Sequence, residues 1–336
     1  MSKKILLFKI GAMGDALMTT PLVRQLRKNF PQAEINYLIG KSASKIIQDN
    51  PNINSILTFD EDTFNQKRVM KLIKLISKIR KDKYDLIFVL DKHWSFNLTA
   101  KLSGIKKRVG FNRYNKEGLF LTNKVYYGKI RHDIFCYLDL AKKINLNINY
   151  QDFKMDVALT DEELKFADKF WKEKSLENKT VIGICPGGGS NPGQVLQDKI
   201  LPVEHYIKLI KKIDQPVILI GGPTDKIKEE QILKECPKVI STIGNSSLKQ
   251  SIAIMQKCHQ LICNDSGPMH MAAAVKKNVI SIFGPVHPKR KAPLWQESKY
   301  IWKAEHLYSA KNETYGTFPS QDYFPGFSHE EILKLL

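Results

Sequence analysis

Three short segments carry residue types that could bind an anion or handle a proton, and each follows an apolar run. In the first, residues 11–15 (GAMGD), Gly11 and Gly14 allow close approach to the backbone, and Asp15 stands where the next helix begins. Aspartate is favoured at the start of a helix, so capping alone could explain it. The segment has neither the G-x-G-x-x-G spacing nor a P-loop lysine, which argues against a dinucleotide or ATPase site.

The second segment favours an anion site and reads Asn264-Asp265-Ser266-Gly267-Pro268-Met269-His270. Pro268 suits the first turn of a helix because it lacks an N–H and has a preset φ angle. The N–H groups of Ser266 and Gly267 would then point from a positive helix end toward a ligand. A merely capped helix needs only one polar side chain before it, whereas this one has two, so we predict phosphate binding. His270 could face the phosphates or be a buried histidine with a partner inside the protein.

The third segment, residues 186–193 (PGGGSNPG), is a glycine-rich run that contains Gly188 and Gly189. Ordering so many glycines is costly unless a ligand or close packing uses their small size. Lys199 follows shortly after, and a lysine near such a loop could neutralise a diphosphate. Open α/β sheets bind ligands at the carboxyl ends of their strands, where we expect all three segments to lie.

Length and composition describe a globular protein with room for two domains. The chain has 336 residues, of which 43% are hydrophobic and 26% charged. No stretch approaches 18 uninterrupted apolar residues, and Lys9 and Asp15 interrupt the N-terminal run that could be mistaken for an export signal. We therefore predict a cytoplasmic protein. The five cysteines form no CxxC pair, so neither a disulfide framework nor a zinc site is predicted.

The positive charge is concentrated in the first half of the chain. Residues 1–150 hold 28 Lys and Arg against 12 Asp and Glu, a net charge of +16, whereas residues 151–336 have a net charge of only +3. Such a field favours an anionic partner, which could be a membrane, a phosphorylated or carboxylated acceptor, or a nucleic acid. A generally lysine-rich, solvated surface would also give a positive charge, but the nearly neutral second half weakens that interpretation.

Alternating strands and helices predict an α/β protein with two Rossmann-like domains. Strands are predicted at residues 4–10, 34–39, 55–59 and 84–90, and again at 181–185, 217–220, 261–263 and 279–283. The amphipathic helix at residues 67–81 is expected to bury Val69, Leu72, Ile73 and Ile76.

A crossover between the domains is predicted at residues 145–160. Thr160 and Glu163 have the spacing of a capping box that begins the next helix. The predicted domains are therefore residues 1–155 and 156–336. A short terminal helix at about residues 328–336 could pack back on the first domain.

Together these segments resemble glycosyltransferase family 9, the lipopolysaccharide heptosyltransferases. The N-terminal stretch ILLFKIGAMGDALMTTPLVRQLRKNFPQAEINYL is similar to the family's opening strand, its Gly-x-x-Gly-Asp turn and the following helix. NDSGPMHMAAA and VISIFGPVHP are similar to its donor-site signature and its Phe-Gly-Pro turn. The resemblance implies a GT-B fold, in which two Rossmann-like domains with parallel sheets face each other across a cleft, the first binding the acceptor and the second the nucleotide sugar.

The resemblance also implies a reaction and residue roles. The reaction is an inverting, metal-independent transfer, typically from ADP-L-glycero-D-manno-heptose to the lipopolysaccharide inner core, with no cofactor beyond this co-substrate. Asp15 matches the general base, Asp265 a contact to donor hydroxyls, and Lys199 a phosphate-binding lysine. The wider set of expected donor contacts is Asn264, Ser266, Gly267, Pro268, His270, Gly188, Gly189, Thr224 and Asp225.

The basic first half would then gather an anionic glycolipid and the inner leaflet, which predicts a peripheral membrane protein. Expected acceptor contacts are Gly14, Lys92, His93 and Arg113, and the basic run Lys106, Lys107 and Arg108 offers further ones.

The chain departs from the family pattern at three places. Leu201 stands where the family has a tryptophan after its lysine, Val286 stands where a small hydroxyl residue is common, and Thr224 and Asp225 follow the Gly-Gly-Pro turn. The same fold could therefore transfer a hexose or an N-acetylhexosamine from UDP or another nucleotide. A nucleotide-sugar epimerase and a binding protein without catalysis are less favoured functions, as is nucleic-acid binding, for which no reading module is evident.

Overall fold

A computed structural model describes residues 3–113, 117–188, 190–191, 194–195, 197–276 and 278–336. The chain divides into two compact units, residues 1–156 and 157–336. Within the described residues, the strands form two six-stranded parallel sheets and one short antiparallel hairpin. This architecture is the α/β organisation that the alternation of elements predicts.

The first unit is a parallel sheet with helical crossovers. Its strands are β1 (Lys4–Lys9), β2 (Glu34–Gly40), β3 (Ser55–Phe59), β4 (Leu86–Val89), β5 (Lys107–Asn112) and β6 (Asn123–Tyr126), in the spatial order β3-β2-β1-β4-β5-β6. Its helices are α1 (Met13–Met18), α2 (Thr20–Asn29), α3 (Asp62–Asn65), α4 (Val69–Lys81), α5 (Trp94–Leu102) and α6 (Asp133–Lys142), with a 3₁₀ segment at Lys41–Ile47.

The second unit repeats this plan. Its main sheet consists of β7 (Ile182–Cys185), β10 (Val217–Leu219), β11 (Ile240–Ser241), β12 (Gln260–Asn264), β13 (Val279–Phe283) and β14 (Lys299–Trp302), in the order β11-β10-β7-β12-β13-β14. The hairpin pairs β8 (Ser190–Asn191) with β9 (Gln194–Val195). The helices are α7 (Asp161–Glu173), α8 (Val203–Ile210), α9 (Lys226–Glu235), α10 (Leu248–Lys257), α11 (Gly267–Val275), α12 (Pro288–Lys291), α13 (Ala310–Tyr315) and α14 (His329–Leu333). Short 3₁₀ turns lie at Gln197–Lys199, Pro223–Asp225 and Glu305–Leu307.

The end of the first unit is held by Arg24 of α2. Its guanidinium donates to Oδ1 of Asp152 (2.7 Å) and to the carbonyl of Lys154 (2.8 Å), and it also pairs with Asp156. The segment after α6 therefore stays attached to the first unit as far as Asp156. The predicted capping box at Thr160 is present and begins α7.

Two of the four residues predicted to form the buried face of α4, Val69 and Ile73, are exposed instead. Leu75 and Ile79 are the buried residues of this helix, whereas Val69 and Ile73 are 65% and 53% exposed. A helix has 3.6 residues per turn, so the broad apolar arc of α4 offers more than one face to a core. The sheet covers the arc around Leu75 and leaves the arc around Val69 in solvent.

The terminal helix α14 packs into the core of the second unit. Ile332 is fully buried in that core, and Lys212, just beyond α8, pairs with Glu330 of α14 at 2.9 Å. The side-chain amide of Gln260 also donates to the carbonyl of Leu335. The helix therefore belongs to the core of the second unit. None of the helices in the described part of the chain is long and apolar enough to cross a membrane.

Candidate active site

A buried lysine organises the carboxyl edge of the first sheet. Lys9 is the last residue of β1 and is 2% exposed. Its Nζ lies 2.7 Å from Oδ1 of Asp91, which follows β4, and 3.8 Å from Oδ2 of Asp15. The other oxygen of Asp91 accepts the Ile10 N–H at 2.5 Å. Burial of an ammonium requires such neutralising partners, so the three side chains form one charged cluster.

Asp15 is the third residue of α1, and Ala12 occupies the N-cap position. Asp15 therefore is not the capping residue, although its charge still suits the first helical turn. Its side chain is 30% exposed, so the carboxylate can meet both solvent and the Lys9 ammonium. Burial raises the pKa of the Tyr137 hydroxyl well above its usual value, and the nearby charges of Asp15 and Asp91 add to this rise. The edge thus combines an accessible carboxylate with a polar interior.

Lys92 lies at the same edge and already has partners in the protein. Its Nζ is 3.7 Å from Oδ2 of Asp133 and 3.8 Å from the ring centroid of Tyr127, whose hydroxyl donates to Asp133. Lys92 is thereby oriented, and a ligand phosphate would have to compete with Asp133 for it.

His93 caps the start of α5, where its Nδ1 accepts the Ser95 N–H at 3.3 Å. Burial and the nearby Arg113 lower the pKa of His93, which favours the neutral ring at pH 7. The Arg113 guanidinium forms a bidentate ion pair with Glu117, in which Nε donates to Oε2 at 2.5 Å and Nη2 donates to Oε1 at 2.6 Å. The structure thus places Gly14, Asp15, Lys92 and His93 at one edge of the sheet and gives Arg113 a carboxylate partner.

The basic run Lys106 to Arg108 is not part of this edge. Lys107 begins β5, so the run lies at the amino ends of the parallel strands. The Arg108 guanidinium donates to the carbonyls of Phe120 (2.7 Å) and Lys106 (3.1 Å). The prediction that these three residues contact the acceptor is therefore wrong, because Asp15 lies at the opposite end of the sheet.

Three loops meet at the carboxyl edge of the second sheet, where β7 lies between β10 and β12. Gly188, in the loop after β7, has a φ of +117°, and a Cβ placed on it would lie 2.4 Å from Cβ of Ser266. A Cβ on Gly187 would lie 2.0 Å from Oδ1 of Asp225. Only glycine allows this loop to pass so closely between Ser266 and Asp225. Gly189 lies outside the described residues.

Asn264 joins these loops and is fully buried. Its Oδ1 accepts the Leu201 N–H (3.1 Å) and the Tyr206 hydroxyl (2.8 Å), and its Nδ2 donates to the carbonyls of Pro186 (3.3 Å) and Gly187 (3.2 Å). These four bonds use the full capacity of the side-chain amide. The expected direct contact between Asn264 and the donor is therefore corrected to a positioning role. Leu201, at the place of the family's tryptophan, is a buried core residue.

Asp265 and Lys199 form an ion pair at the start of α11. Nζ of Lys199 lies 3.0 Å from Oδ2 of Asp265, and the two side chains are 17% and 4% exposed. Ser266 is the N-cap of the helix, and Pro268 occupies its first turn. The first N–H groups of a helix have no partner within it, so the backbone of Ser266 and Gly267 can donate hydrogen bonds to an anion, which would share the Lys199 ammonium with Asp265. His270 is buried one turn further along.

Asp225 supports the glycine loop instead of pointing into solvent. Its Oδ2 accepts the Gly222 N–H at 2.9 Å, the backbone of Gly188 also donates to it, and burial raises its pKa despite these bonds. Thr224 is exposed, so it remains available to a ligand while Asp225 does not.

Sequence reasoning missed Lys9, Asp91 and Lys228. A lysine inside an otherwise apolar strand was a usable signal for Lys9, because it has to be neutralised when the strand is buried. Lys228 of α9 gave no such signal. Its Nζ lies 3.4 Å from the carbonyl of Pro186, and burial lowers its pKa in spite of the nearby Asp225. Among the residues that the structure describes, no cluster of three His, Cys, Asp or Glu side chains could hold a metal ion.

The glycosyltransferase family 9 (heptosyltransferase) model matches residues 72–317. The chain belongs to glycosyltransferase family 9. Among curated proteins, it is 27% identical to lipooligosaccharide heptosyltransferase 2 of Haemophilus ducreyi over 319 residues, covering 89% of this chain and 88% of that protein. It is 25% identical to lipopolysaccharide heptosyltransferase 2 of Escherichia coli (strain K12), covering 89% and 87% of the two chains.

Solved structures give the same result for the fold of this family 9 chain. A family 9 glycosyltransferase from Veillonella parvula has a TM-score of 0.80 at 20% identity, covering 99% of this chain and 96% of that one. E. coli ADP-heptose LPS heptosyltransferase II has a TM-score of 0.74 at 23% identity, covering 99% and 97%. The GT-B fold expected from the resemblance is confirmed.

Proposed function

We propose that this family 9 glycosyltransferase moves a heptose from ADP-L-glycero-D-manno-heptose to the inner core of a lipopolysaccharide or lipooligosaccharide. The observation that carries the proposal is the arrangement at the start of α11, where the Lys199–Asp265 ion pair and the helix N-terminus adjoin the Gly188 loop. The names of the related proteins support the same sugar and acceptor, and the similar E. coli structure is that of an ADP-heptose LPS heptosyltransferase.

In the proposed donor site, the diphosphate accepts hydrogen bonds from the N–H groups of Ser266 and Gly267 and receives the charge of Lys199. Asp265 keeps the Lys199 ammonium beside the helix start and accepts hydrogen bonds from hydroxyl groups of the sugar donor. The fixed dipoles of the helix start and the Lys199 ammonium stabilise the negative charge of the ADP that leaves. In other enzymes a divalent metal ion supplies this stabilisation. We therefore propose that transfer needs no metal ion.

In the proposed reaction, Asp15 removes the proton of the acceptor hydroxyl as that oxygen forms a bond to the anomeric carbon. The bond between this carbon and the diphosphate oxygen breaks at the same time, so ADP leaves from the opposite face and the configuration inverts. Asp91 fixes the Lys9 ammonium, which in turn attracts the Asp15 carboxylate and so restricts its orientation at the sheet edge.

The proposed acceptor is an anionic glycolipid on the cytoplasmic face of the inner membrane. The net charge of +16 in residues 1–150 supports this proposal, because lysines and arginines attract phosphate and carboxylate groups as well as anionic lipids. Lys92 and His93, which directly follow Asp91 in the chain, are proposed to contact the acceptor. Peripheral association with the membrane would bring the enzyme to this substrate.

A thermal-shift panel of ADP-, UDP-, GDP- and CMP-sugars, followed by transfer assays, tests the proposal. ADP-heptose should raise the melting temperature, because binding to the native state stabilises it. Asp15→Asn should keep this shift and lose heptose transfer, and transfer by the unaltered enzyme should continue in EDTA. A response selective for UDP-sugars would instead favour transfer of another sugar by the same fold.

A further inference from the structure

Helix α4 exposes a compact apolar surface. Val69, Met70 and Ile73 are 65%, 68% and 53% exposed, and they lie within an arc of about 100° on the first two turns of the helix. The core-facing residues of the helix, Leu75 and Ile79, lie on another arc. We refer to Val69, Met70 and Ile73 as the α4 patch.

Basic residues lie just before the α4 patch and along one of its flanks. Lys67 and Arg68 precede the helix, and Lys74 and Lys78 lie on the adjoining arc, all of them exposed. The helix itself contains five Lys and Arg and no Asp or Glu. An apolar strip with lysines on its flank is the pattern of helices that lie in the interface of an anionic bilayer, where the apolar side chains enter the acyl boundary and the ammonium groups meet the phosphates.

The α4 patch lies toward the edge of the sheet that carries Asp15. Helix α4 follows β3 and runs back to β4, so its first turns are near the carboxyl ends of the strands. Lys67 is close enough to His93 to contribute to lowering the pKa of that side chain, after burial and Arg113. Trp94, the next residue after His93, is 45% exposed, and tryptophan is suited to the membrane interface.

We propose that the α4 patch, with Trp94, docks the protein on an anionic phospholipid bilayer by shallow insertion. The inference rests on the proposed function, because docking there brings the sugars of a membrane-embedded acceptor to the Asp15 edge. Electrostatic attraction alone would be lost in high salt, whereas inserted apolar side chains retain part of the binding.

Flotation with vesicles tests this surface. The full-length protein is mixed with phosphatidylethanolamine–phosphatidylglycerol vesicles, or with phosphatidylcholine vesicles, at low and high salt. The unaltered protein should float with the anionic vesicles and keep a reduced bound fraction in high salt. The variant Val69→Ser/Met70→Ser/Ile73→Ser should bind about tenfold or more weakly, with no bound fraction left in high salt.

Ile227→Ser is the matched control, because Ile227 of α9 is 72% exposed and belongs to the second unit. It should float like the unaltered protein. All three altered patch residues are exposed, so the triple variant should keep its melting temperature and its ADP-induced shift. Sedimentation should show the same oligomeric state for both proteins.

The outcomes separate this proposal from the function. Equal flotation of the triple variant and the unaltered protein would overturn the docking surface even if heptose transfer is observed. A change of oligomeric state in the triple variant would overturn it as well, since the patch would then be a contact between copies. Patch-dependent flotation without any heptose transfer would leave the surface standing and refute the function.

Discussion

At the scale of single residues, burial distinguishes the lysines of the candidate site from the many solvated lysines. Lys9 is almost fully buried with Asp91 and Asp15, and the side chain of Lys199 is 17% exposed beside Asp265. An ammonium group leaves water only when carboxylates compensate for the lost hydration. Each of these lysines is therefore held in a fixed place beside a residue of the proposed site.

Lys9→Met should lower both stability and turnover. Removing one partner of a buried ion pair leaves Asp91 and Asp15 as like charges and should cost about 3 kcal/mol. Loss of orientation at Asp15 should lower kcat by about 10²-fold with little change in the donor KM. Chemical unfolding and steady-state kinetics measure the two effects.

The control for Lys9 is Lys4→Met, because Lys4 is 40% exposed and pairs with Glu34 in solvent. That variant should change stability by no more than about 1 kcal/mol. In Lys9→Met/Asp91→Asn, the removal of one carboxylate should restore part of the stability, while turnover stays low. Unchanged turnover in Lys9→Met would show that Lys9 does not position Asp15.

Gly188→Ala should weaken donor binding. The residue has a left-handed φ of +117°, and its new Cβ would overlap Ser266, so we expect a loss of about 1–3 kcal/mol in stability. Displacement of Ser266 should also raise the donor KM. Gly222→Ala is the comparison, because its φ is −94° and a Cβ there meets no atom within 4 Å. Similar donor KM values in the two variants would contradict this view of the loop.

At the scale of elements, side chains far from the site determine where each segment ends. Arg24 of α2 holds Asp152 and Asp156, and this network attaches the segment after α6 to the first unit. Helix α14 completes the second core through Ile332. These two sets of contacts fix which unit each segment belongs to, which the amino-acid composition of the segments does not reveal.

Ile332→Ala should destabilise the second unit by about 2–4 kcal/mol, because it removes a fully buried side chain and leaves a cavity. The unfolding transition that ADP shifts to higher temperature should show this loss. Leu336→Ala, in which the altered side chain is 40% exposed, should change the same transition very little. Equal effects of the two substitutions would mean that α14 contributes no core packing.

At the scale of the whole molecule, charge differs between the parts of the chain proposed to bind the acceptor and the donor. The first 150 residues carry a net charge of +16 and the remainder only +3, whereas the candidate diphosphate site lies in the nearly neutral part. Long-range attraction should therefore assist the acceptor more than the nucleotide sugar.

Raising the ionic strength should raise the KM for an anionic acceptor severalfold and change the donor KM much less. Salt screens exposed charges beyond a Debye length of about 10 Å at 0.1 M, whereas the donor site relies on short, partly buried contacts. Initial-rate measurements with a soluble, deacylated acceptor would remove the contribution of the membrane. Equal sensitivity of the two KM values would count against charge-assisted acceptor binding.

Local patterns account for the elements that were predicted correctly. Apolar runs of four to seven residues that end at polar or glycine-rich turns marked β1, β2, β3, β7 and β13. The shorter or more polar strands β5, β6, β11 and β14 were missed, because hydrogen bonds to a neighbouring strand can stabilise a strand that has no strong apolar run of its own.

Much of the candidate site was also visible locally. The sequence alone determined the α/β class, the two-unit organisation, the family and the loops that carry Asp15, Lys199 and Asp265, because these depend on short-range spacing and on the order of segments. Even the excess of positive charge in the first half is a property of composition. For such features, neighbouring residues in the chain contain the relevant information.

Only the tertiary structure decided which polar groups neutralise one another and which apolar face is covered. It assigned Asn264 and Asp225 to support the loops, brought Asp91 to Lys9 from another strand, and left Val69 and Ile73 in solvent. Hydrogen-bond capacity and burial depend on groups that are distant in sequence, whereas periodicity records only that a residue is apolar or charged. The same side chain can therefore bind a ligand, hold a loop or face a membrane, and its long-range neighbours determine which.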